Sequence, residues 1–309
     1  MPAAVAAMRA AYAELSTGQA LAPLRVAVPV ASADAVSLFM PAYLPSSGLG
    51  AKIVSVFPHN PEQGKPIVNG LVVVLDPATG EPLALFDGAF LTAWRTAAGA
   101  AAGVDVLARP EARVGALLGC GATGRTLALA MDCVRPLETL RVFAPTRAHV
   151  DAFIEILQPQ VSARLVAAAS ADEAVDGADV ICTATTSRTP VFDGRRLKPG
   201  AHISGVGSYT LEMQEVDAVA VSRARIFIDS REPALAEAGD LVIPLRAGQT
   251  RQEDWTELGD VIVGRRPGRQ APDDITFFKS VGNAAQDIAA AGRALAQART
   301  LGLGREVEF

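Results

Sequence analysis

The sequence is poor in the residue types that most often carry metal, redox or base-stacking chemistry. Its 309 residues include three cysteines and three histidines, and aromatic side chains make up 5% of them. Cys120, Cys133 and Cys182 show no metal or redox spacing, and they suit a reducing compartment. The scattered histidines form no metal-binding pattern, and so few aromatics argue against a surface that stacks nucleic-acid bases. We therefore predict no bound metal.

Strong charge of one sign and long apolar runs are also missing. The formal net charge is −5 at pH 7 with acids and bases interspersed, so no basic stripe predicts a nucleic-acid partner. No uninterrupted apolar segment approaches the length of a membrane span. Residues 1–15 are rich in alanine but contain Arg9 and Glu14, which predicts an amphipathic helix rather than a signal peptide. We expect a cytoplasmic protein without nucleic-acid or membrane partners.

A glycine-rich segment in the middle of the chain is the most informative motif. An apolar run at 114–118 precedes Gly119-Cys-Gly121-Ala-Thr-Gly124, and a helix-like segment follows. In a strand–turn–helix unit the first glycine allows the sharp turn, the second lets backbone approach a pyrophosphate, and the third lets helix and strand pack closely. The helix N-terminus then offers unpaired N–H groups to the phosphates. The segment predicts a dinucleotide site.

The residues after the next strand bear on which dinucleotide binds. An NAD site usually has an Asp or Glu about 20 residues beyond the glycines, at the end of that strand. Here the strand at 139–144 is followed by Thr146 and Arg147, and the first acid is Asp151. A hydroxyl and a guanidinium can hold a 2′-phosphate, which favours NADPH, with NADH still possible. Alternatively, Arg147 is a solvated residue in the first turn of a helix.

Alternating strand and helix patterns predict an α/β fold. With 50% hydrophobic residues, the chain can bury a core for one large or two medium domains. Apolar or alternating runs predict early strands at 24–30, 37–44, 51–57, 71–75 and 82–87, followed by an Ala-rich helix at 91–108. Later strands are predicted at 114–118, 139–144, 162–166, 178–183, 201–206 and 225–229, and helices at 123–133, 147–157 and 171–176.

The second half of this pattern indicates a parallel, doubly wound sheet of the Rossmann type, because its strands alternate with helices. Ligands of such sheets bind beyond the carboxyl ends of the strands, so residues 183–187 should face the cofactor. The polar segment 249–254 is predicted to be a surface loop, and residues 277–301 a loop followed by a helix.

Three cations in the first hundred residues are candidates for binding a substrate carboxylate. Arg25 begins an otherwise apolar strand, Lys52 is alone among apolar residues, and Arg95 lies on a helix among small residues. Each has a simpler explanation, since strand alternation could turn Lys52 to solvent and Arg95 could be a surface arginine. His59 and His202 are acid–base candidates by residue type alone.

Several long segments together resemble the ornithine cyclodeaminase/mu-crystallin family. They follow the family's order over nearly the whole chain and are far more specific than three glycines. They are Arg25-Val-Ala-Val-Pro, Met40-Pro-Ala-Tyr43, Ala51-Lys52-Ile-Val-Ser, Leu91-Thr-Ala-Trp-Arg95-Thr96-Ala-Ala, Gly119-Cys-Gly121-Ala-Thr-Gly124, Cys182-Thr-Ala-Thr-Thr-Ser187, Gly205-Val-Gly-Ser208, Glu237-Ala-Gly-Asp240 and Phe278-Lys-Ser-Val-Gly282-Asn-Ala-Ala-Gln-Asp287.

The resemblance implies a homodimer with two domains in each subunit. Residues 1–112 plus 280–309 would form a mixed α+β domain for substrate binding and dimerisation, and residues 113–279 the Rossmann NAD(P)-binding domain. Arg25 matches the carboxylate-binding arginine of the family and Lys52 its active-site lysine. Arg95 also belongs to the implied substrate-binding set. The match at Lys52 argues against its facing solvent.

The glycine turn and the resemblance together imply a set of residues that contact the dinucleotide. They come from the glycine turn, the strand ends beside it, the second helix and the last loop. The set is Arg95, Thr96, Gly119, Gly121, Ala122, Thr123, Gly124, Thr146, Arg147, Thr183, Ala184, Thr185, Gly205 and Gly282.

Ser208 bears on the reaction. Ornithine cyclodeaminases and related alanine dehydrogenases carry an aspartate at the matching position, whereas ketimine reductases of the family look like the serine type. A carboxylate can accept the proton of an attacking amine or hold an ammonium, and a serine does so only weakly. The resemblance therefore implies an NAD(P)H-dependent reductase of cyclic ketimines in proline metabolism. It would form L-proline from Δ1-pyrroline-2-carboxylate and L-pipecolate from Δ1-piperideine-2-carboxylate.

In this hypothesis Arg25 and Lys52 bind the substrate carboxylate, and either Lys52 or a water held by Ser208 supplies the proton. Three alternatives stay open. The first is an ornithine cyclodeaminase, which would release ammonia, or a related amino-acid dehydrogenase. The second is a binding protein that holds a mu-crystallin-like ligand without turnover. The third is an enzyme acting on N-alkylated or opine-like imines.

Overall fold

Two β-sheets organise the chain in the computed structural model, which describes residues 1–307. The strands are β1 (Val26–Val30), β2 (Ala35–Leu44), β3 (Gly48–Val56), β4 (Val68–Leu75), β5 (Pro82–Asp87), β6 (Val114–Leu118), β7 (Thr139–Phe143), β8 (Arg164–Ala167), β9 (Val180–Thr183), β10 (His202–Gly205), β11 (Ala224–Ile228), β12 (Thr256–Glu257) and β13 (Ile275–Lys279). The helices are α1 (Pro2–Ser16), α2 (Gly88–Leu107), α3 (Ala122–Val134), α4 (Arg147–Leu157), α5 (Ala171–Val175), α6 (Ala218–Arg223), α7 (Arg231–Glu237), α8 (Gly239–Arg246), α9 (Leu258–Ile262) and α10 (Ala284–Leu301).

The first sheet is an antiparallel meander of β1 to β5 in sequence order. Its period-2 alternation places Met40, Lys52 and Val72 side by side on the inner face, because Lys52 pairs with the other two in the register. This inner face packs against α2 and α10. The register therefore turns Lys52 into the protein rather than toward solvent, and its side chain is 2% exposed.

The second sheet is parallel throughout and has the order β12-β11-β13-β10-β9-β6-β7-β8. The strand order reverses between β6 and β9, so the chain leaves these two neighbouring strands in opposite directions. Such a switch point opens a crevice at the carboxyl ends of the strands, where ligands of doubly wound sheets bind. The predicted α/β fold, with a Rossmann-type sheet and a second mixed domain, is confirmed.

Helix α2 runs between the two sheets and begins three residues earlier than the predicted 91–108. The Asp87 carboxylate accepts hydrogen bonds from the backbone N–H groups of Ala89 and Phe90, so it caps the first turn. Small residues let the helix pack closely on both sides. A Cβ added to Gly99 would meet the Tyr12 hydroxyl, and one added to Gly103 would meet the Phe278 ring.

The prediction that residues 277–301 form a loop and a helix is wrong at its beginning. Ile275–Lys279 is strand β13, which lies between β10 and β11 and is buried on both faces. A strand covered on both sides has no polar alternation, and so short an apolar run carries no periodic signal. The helix of that prediction is α10.

The two sheets fall into the two ranges that the resemblance implies for separate domains. β1 to β5 lie within 1–112 and β6 to β13 within 113–279, and α10 packs on β2, β3, α1 and α2. The domain limits themselves stay a prediction, and the last two residues of the segment 280–309 lie outside the described residues. Across residues 1–307, no helix is both long and apolar enough to cross a membrane.

Candidate active site

The glycine turn joins β6 to α3 at the switch point of the parallel sheet. Gly119 has a φ of +116°, and a Cβ there would lie 2.5 Å from the carbonyl oxygen of Ala184. A Cβ on Gly124 would run into the carbonyl oxygen of Gly119, so the third glycine is needed for helix–strand packing. A Cβ on Gly121 would meet nothing within 4 Å. The first and third glycines therefore serve the fold, and the second leaves open space at the helix N-terminus.

The open space fits the pyrophosphate of a dinucleotide. Helix α3 has Gly121 as its N-cap and no side chain bonded to its first N–H groups, so these donors and the helix dipole face outward. Next to them, the Thr183 hydroxyl is buried at the end of β9 without a hydrogen-bond partner among residues 1–307. An added Cβ on Gly205 would lie 3.6 Å from that hydroxyl. The unpaired N–H groups of α3, the Thr183 hydroxyl without a partner and the open space at Gly121 together suit the phosphates of a dinucleotide.

Helix α2 lies close to this turn and carries two of the implied cofactor-binding residues. The Thr126 hydroxyl of α3 donates to the carbonyl oxygen of Ala93 at 2.9 Å, which ties α3 to α2. Thr96 is half-buried one turn further along α2. Thr185 follows β9, and a Cβ on Gly119 would lie 3.4 Å from its methyl group. The structure thus brings the turn, the end of β9 and α2 together.

Thr146 and Arg147 lie apart from that group, at the start of α4. Thr146 is the N-cap of α4 and makes no capping bond with its side chain. Arg147 is 66% exposed, and its Nε donates to an Asp151 carboxylate oxygen at 2.8 Å. The guanidinium is accessible and still has its two terminal nitrogens available to a phosphate. The first acid after β7 is therefore paired with the arginine.

Lys52 is the centre of a buried charged cluster on the inner face of the first sheet. Its Nζ lies 2.8 Å from Asp287 Oδ2, and the Nε of Arg95 lies 2.9 Å from Asp287 Oδ1. Burial lowers the pKa of Lys52 to about 8, a shift that the Asp287 carboxylate opposes and that Arg95 and Arg25 reinforce. A lysine with this pKa can exchange a proton near neutral pH, which an exposed lysine does poorly.

Arg95 is held almost entirely by the protein itself. In addition to its bond to Asp287, its Nη1 donates to Gln286 Oε1 at 2.5 Å. The backbone at Gly282, where φ is +80°, approaches the guanidinium so closely that a Cβ would lie 2.5 Å from Nη1. These contacts place Arg95 behind Lys52 and under the loop that contains Gly282. Its part in substrate or cofactor binding stays a prediction.

Arg25 lies at the edge of the same cluster, directly before β1. Its Nη2 is bonded to the Glu237 carboxylate and also donates to the carbonyl oxygens of Val281 at 3.1 Å and Gly282 at 3.2 Å. Burial raises the pKa of Glu237 and the adjacent Arg25 lowers it, with burial the larger effect. The arginine is anchored through one terminal nitrogen, which leaves the rest of the fork for a carboxylate.

Ser208 belongs to a second buried cluster. Its hydroxyl donates to the Asp240 carboxylate and accepts from Lys279 Nζ at 2.6 Å, and Lys279 lies 2.8 Å from Asp240. The Glu215 carboxylate accepts from the Ser208 backbone N–H at 3.0 Å, and burial raises the pKa of Glu215. All four side chains are fully buried. The Ser208 hydroxyl therefore has its proton and one of its two lone pairs occupied by protein groups.

The histidines proposed by residue type have structural surroundings. His202 is fully buried, with its ring nitrogens 2.9 Å from the Ser204 and Thr276 hydroxyls, and burial lowers its pKa well below the usual value. His59 is exposed and pairs with Glu62. Within residues 1–307, no group of three or more metal-ligating side chains is arranged to hold a metal ion.

Five acidic or basic side chains of the two clusters were given no role by the sequence. Four of them, Glu237, Asp240, Lys279 and Asp287, lie in segments that carry the family resemblance, so the sequence indicates their positions but not their functions. The segment from β13 to α10 connects the clusters, with Lys279 in one and Asp287 in the other. The full group is Glu215, Glu237, Asp240, Lys279 and Asp287.

The fold and site define an α/β protein with a Rossmann-type sheet, an uncovered glycine turn and a buried lysine. The chain belongs to the ornithine cyclodeaminase/mu-crystallin family, whose model matches residues 1–299. A Δ(1)-pyrroline-2-carboxylate reductase of Bacillus cereus is 36% identical over 299 residues, 96% of this chain and 92% of that relative. The family resemblance predicted from the sequence is confirmed.

Solved structures agree with this assignment. The Thermococcus litoralis Δ(1)-pyrroline-2-carboxylate reductase in complex with NADH and L-proline is 34% identical, with a TM-score of 0.94 over 98% of this chain and 95% of that one. An archaeal alanine dehydrogenase dimer with bound NAD is 29% identical, with a TM-score of 0.92 over 100% and 95% of the two chains.

Proposed function

We propose that this protein reduces cyclic ketimines with a nicotinamide dinucleotide, forming L-proline from Δ1-pyrroline-2-carboxylate and L-pipecolate from Δ1-piperideine-2-carboxylate. The observation that carries the proposal is the buried Lys52, whose pKa is about 8, in a chain that also has an uncovered glycine turn. The reductases of Bacillus cereus and Thermococcus litoralis support the choice of substrate.

The dinucleotide, when bound, would supply a hydride to the imine carbon. The chain's own residues would bind and orient the other reactant. Arg25 and Lys52 carry the charges that a substrate carboxylate needs, and holding the reacting atoms in place removes several kcal/mol of barrier. Arg95 lies behind Lys52 and is already bonded to Asp287 and Gln286, so we give it a supporting part.

Lys52 is our choice of proton donor between the two that the sequence leaves open. The imine nitrogen must gain a proton as the hydride arrives, and a donor with a pKa near the working pH is the most effective. Lys52 meets this condition at a pKa of about 8. The Ser208 hydroxyl is fully buried and already gives its proton to Asp240, so it is a poor anchor for a proton-donating water.

The direct test is NADPH and NADH oxidation by the purified protein against a panel of substrates. The panel contains the two cyclic imines, pyruvate with ammonia, and pyruvate with methylamine. We expect turnover of a cyclic imine. Turnover only with pyruvate and an amine would favour the dehydrogenase or the N-alkylated imine alternative. Ammonia release from ornithine with NAD⁺ would favour a cyclodeaminase. No reaction in any assay would overturn the proposal in favour of ligand binding.

We further propose that NADPH is preferred over NADH. The first acid after β7, Asp151, is paired with Arg147, and the exposed guanidinium retains donors for a 2′-phosphate. The solved relatives contain NADH and NAD and therefore do not support this preference, which rests on Arg147.

The Arg147→Asp substitution tests the preference. A carboxylate there repels a 2′-phosphate and can accept a ribose hydroxyl, so the NADPH/NADH ratio of kcat/KM should fall about tenfold or more, equivalent to ~1.4 kcal/mol. The ratio is measured by steady-state kinetics with each cofactor. Arg299→Asp, at an exposed position of α10, is the control for the change of charge. An unchanged ratio in Arg147→Asp would show that Arg147 does not contact the cofactor.

A homodimer is our proposal for the assembly. The outer face of the first sheet exposes a row of large apolar side chains, including Val26, Val28, Phe39, Leu71 and Leu85. A patch of this kind is unusual on a monomer and typical of an interface. The archaeal alanine dehydrogenase with the same fold is a dimer. Sedimentation equilibrium should give twice the chain mass of 32.0 kDa, and a monomer at all concentrations would contradict it.

The cytoplasm is the compartment that we propose. Cys120, Cys133 and Cys182 are all free thiols in the structure, which suits a reducing environment. A fractionation that finds the protein only in an oxidising compartment would contradict this.

A further inference from the structure

Asp287 contacts two cations of the proposed active site, Lys52 and Arg95. It lies in the first turn of α10 and is fully buried between two cations. One carboxylate oxygen is 2.8 Å from Lys52 Nζ, and the other is 2.9 Å from Arg95 Nε. The carboxylate is hydrogen-bonded to Arg95 and ion-paired with Lys52, so it draws both cations together by its charge.

The first turn of α10 is itself held rigidly. The Asn283 side chain caps the helix by accepting from the Gln286 backbone N–H. The Gln286 amide donates to the Tyr12 hydroxyl at 3.0 Å and to the Ser280 hydroxyl at 3.3 Å. An anion near a helix N-terminus is also stabilised by the helix dipole. Asp287 is thus a fixed negative charge and not a mobile one.

The other charges around Lys52 disfavour its protonated form, and the Asp287 carboxylate opposes them. Arg95 approaches from α2 and Arg25 from the segment before β1, and both disfavour a protonated lysine. Among residues 1–307, Asp287 is the carboxylate that forms an ion pair with Lys52. Glu237, from α7, is bonded to Arg25 instead.

Two further titratable groups, Tyr12 and Asp229, lie near the first turn of α10. Tyr12 of α1 touches Gln286, and its pKa is raised by burial, so it is a neutral phenol. Asp229, which follows β11, bonds to the Ser280 hydroxyl and the Gly282 N–H, and its pKa is also raised by burial. Neither group is bonded to Lys52, so Asp287 is the carboxylate paired with Lys52 and Arg95, while Glu237 is paired with Arg25.

We propose that Asp287 is a positioning residue that keeps Lys52 protonated and directed at the substrate nitrogen, an inference that rests on the proposed role of Lys52. Hydride addition to the C=N carbon breaks the π bond, and the electron pair that moves to nitrogen takes a proton from the Lys52 ammonium. Lys52 becomes a neutral amine and the imine a secondary amine. Solvent then returns a proton to Lys52 and gives the product nitrogen its second.

The Asp287→Asn substitution tests this inference because it removes the charge and keeps the shape. Without the carboxylate, burial and both arginines act on Lys52 unopposed, so its pKa should fall by about one unit or more. In the full-length protein, the alkaline decline of kcat/KM for Δ1-pyrroline-2-carboxylate should move to lower pH by that amount. At pH near 7.5 the loss should be about threefold or more, it should approach about tenfold near pH 9, and it should be largely recovered near pH 6. The ionisation of the substrate is common to both proteins and cancels.

A second readout does not depend on turnover. The affinity of the cofactor-free protein for L-proline, measured by calorimetry across the same pH range, should fall as Lys52 loses its proton. In Asp287→Asn this fall should occur at a correspondingly lower pH. Asp287→Glu keeps the charge on a longer side chain. It should retain the wild-type pH profile with a lower kcat, because the ammonium is displaced but remains paired.

Asp179→Asn is the matched control. Asp179 is also buried and paired with two cations, Arg109 at 2.8 Å and Lys198 at 2.7 Å, but it directly precedes β9 and bonds to the segment between α2 and β6 rather than to Lys52. It should leave the pH profile unchanged even if stability falls. An Asp287→Asn enzyme whose kcat/KM falls equally at every pH would overturn the inference and show a structural role only. If the wild-type protein reduces no imine at all, the proposed function fails instead.

Discussion

Replacement of Lys52 by alanine is expected to lower kcat/KM for Δ1-pyrroline-2-carboxylate about 10²–10⁴-fold, the usual contribution of a positioned proton donor. The Lys52 side chain is buried beside Met40 of β2 and Val72 of β4, and its ammonium is ion-paired with Asp287, so water cannot easily replace it. Its removal should also weaken binding of the substrate carboxylate, so KM should rise as kcat falls. Steady-state kinetics near pH 7 separate the two effects.

The pH dependence of the wild-type protein belongs to the same prediction. Lys52 donates only when protonated, and its pKa is about 8, so activity should be retained below that pH and decline above it. In Lys52→Ala the decline should disappear together with most of the activity. Lys65→Ala, at an exposed lysine of the loop between β3 and β4, is the control. Near-normal turnover by Lys52→Ala would remove the lysine from the mechanism.

Substitution of Gly121 by serine should separate cofactor binding from folding. Gly121 is the N-cap of α3, and serine is at least as good an N-cap residue as glycine, so thermal stability should be unchanged or slightly higher. The serine hydroxyl would bond to the same N–H groups that a pyrophosphate needs and would fill the space above them. Loss of two charge-assisted hydrogen bonds costs about 3 kcal/mol, so the Kd for the dinucleotide should rise about a hundredfold.

Calorimetric or fluorescence titration with NADPH and NADH measures that change, and a thermal melt checks the fold. Gly124→Ala gives the contrast. An added Cβ there collides with the Gly119 carbonyl oxygen, so stability and cofactor affinity should fall together. Unchanged affinity in Gly121→Ser would mean that the pyrophosphate binds elsewhere.

Local sequence rules account well for the Rossmann-type sheet and poorly for its last strand. The strand, turn and helix around Gly119 follow from glycine spacing and a change of hydrophobic period, both of which act within a few residues. β13 has no such signal, because both faces of Ile275–Lys279 are covered by other elements. Its place between β10 and β11 depends on a crossover that local pattern does not encode.

The charged clusters likewise combine residues that the sequence predicts with contacts that only the fold creates. Lys52 and Arg25 were found through resemblance, since a single cation in a strand is more often solvent-facing. The register with Met40 and Val72 turned Lys52 inward, and this supports its proposed role. Ser208 is predicted from the resemblance, as the serine where other members carry an aspartate. Its buried bonds to Asp240 and Lys279 depend on three separate segments that meet only in the fold. The roles of these residues stay predictions.

The sequence by itself determined the family, the two-sheet α/β architecture and the glycine turn for a dinucleotide, because each is written in residues that are neighbours in the chain or in motifs with a fixed order. Only the tertiary structure decided which charges meet. Lys52 and Asp287 come from opposite ends of the chain, and their pairing beside Arg95 depends on α10 packing against the first sheet. Burial and charge at that contact set the pKa of Lys52, and neither exists before the chain folds.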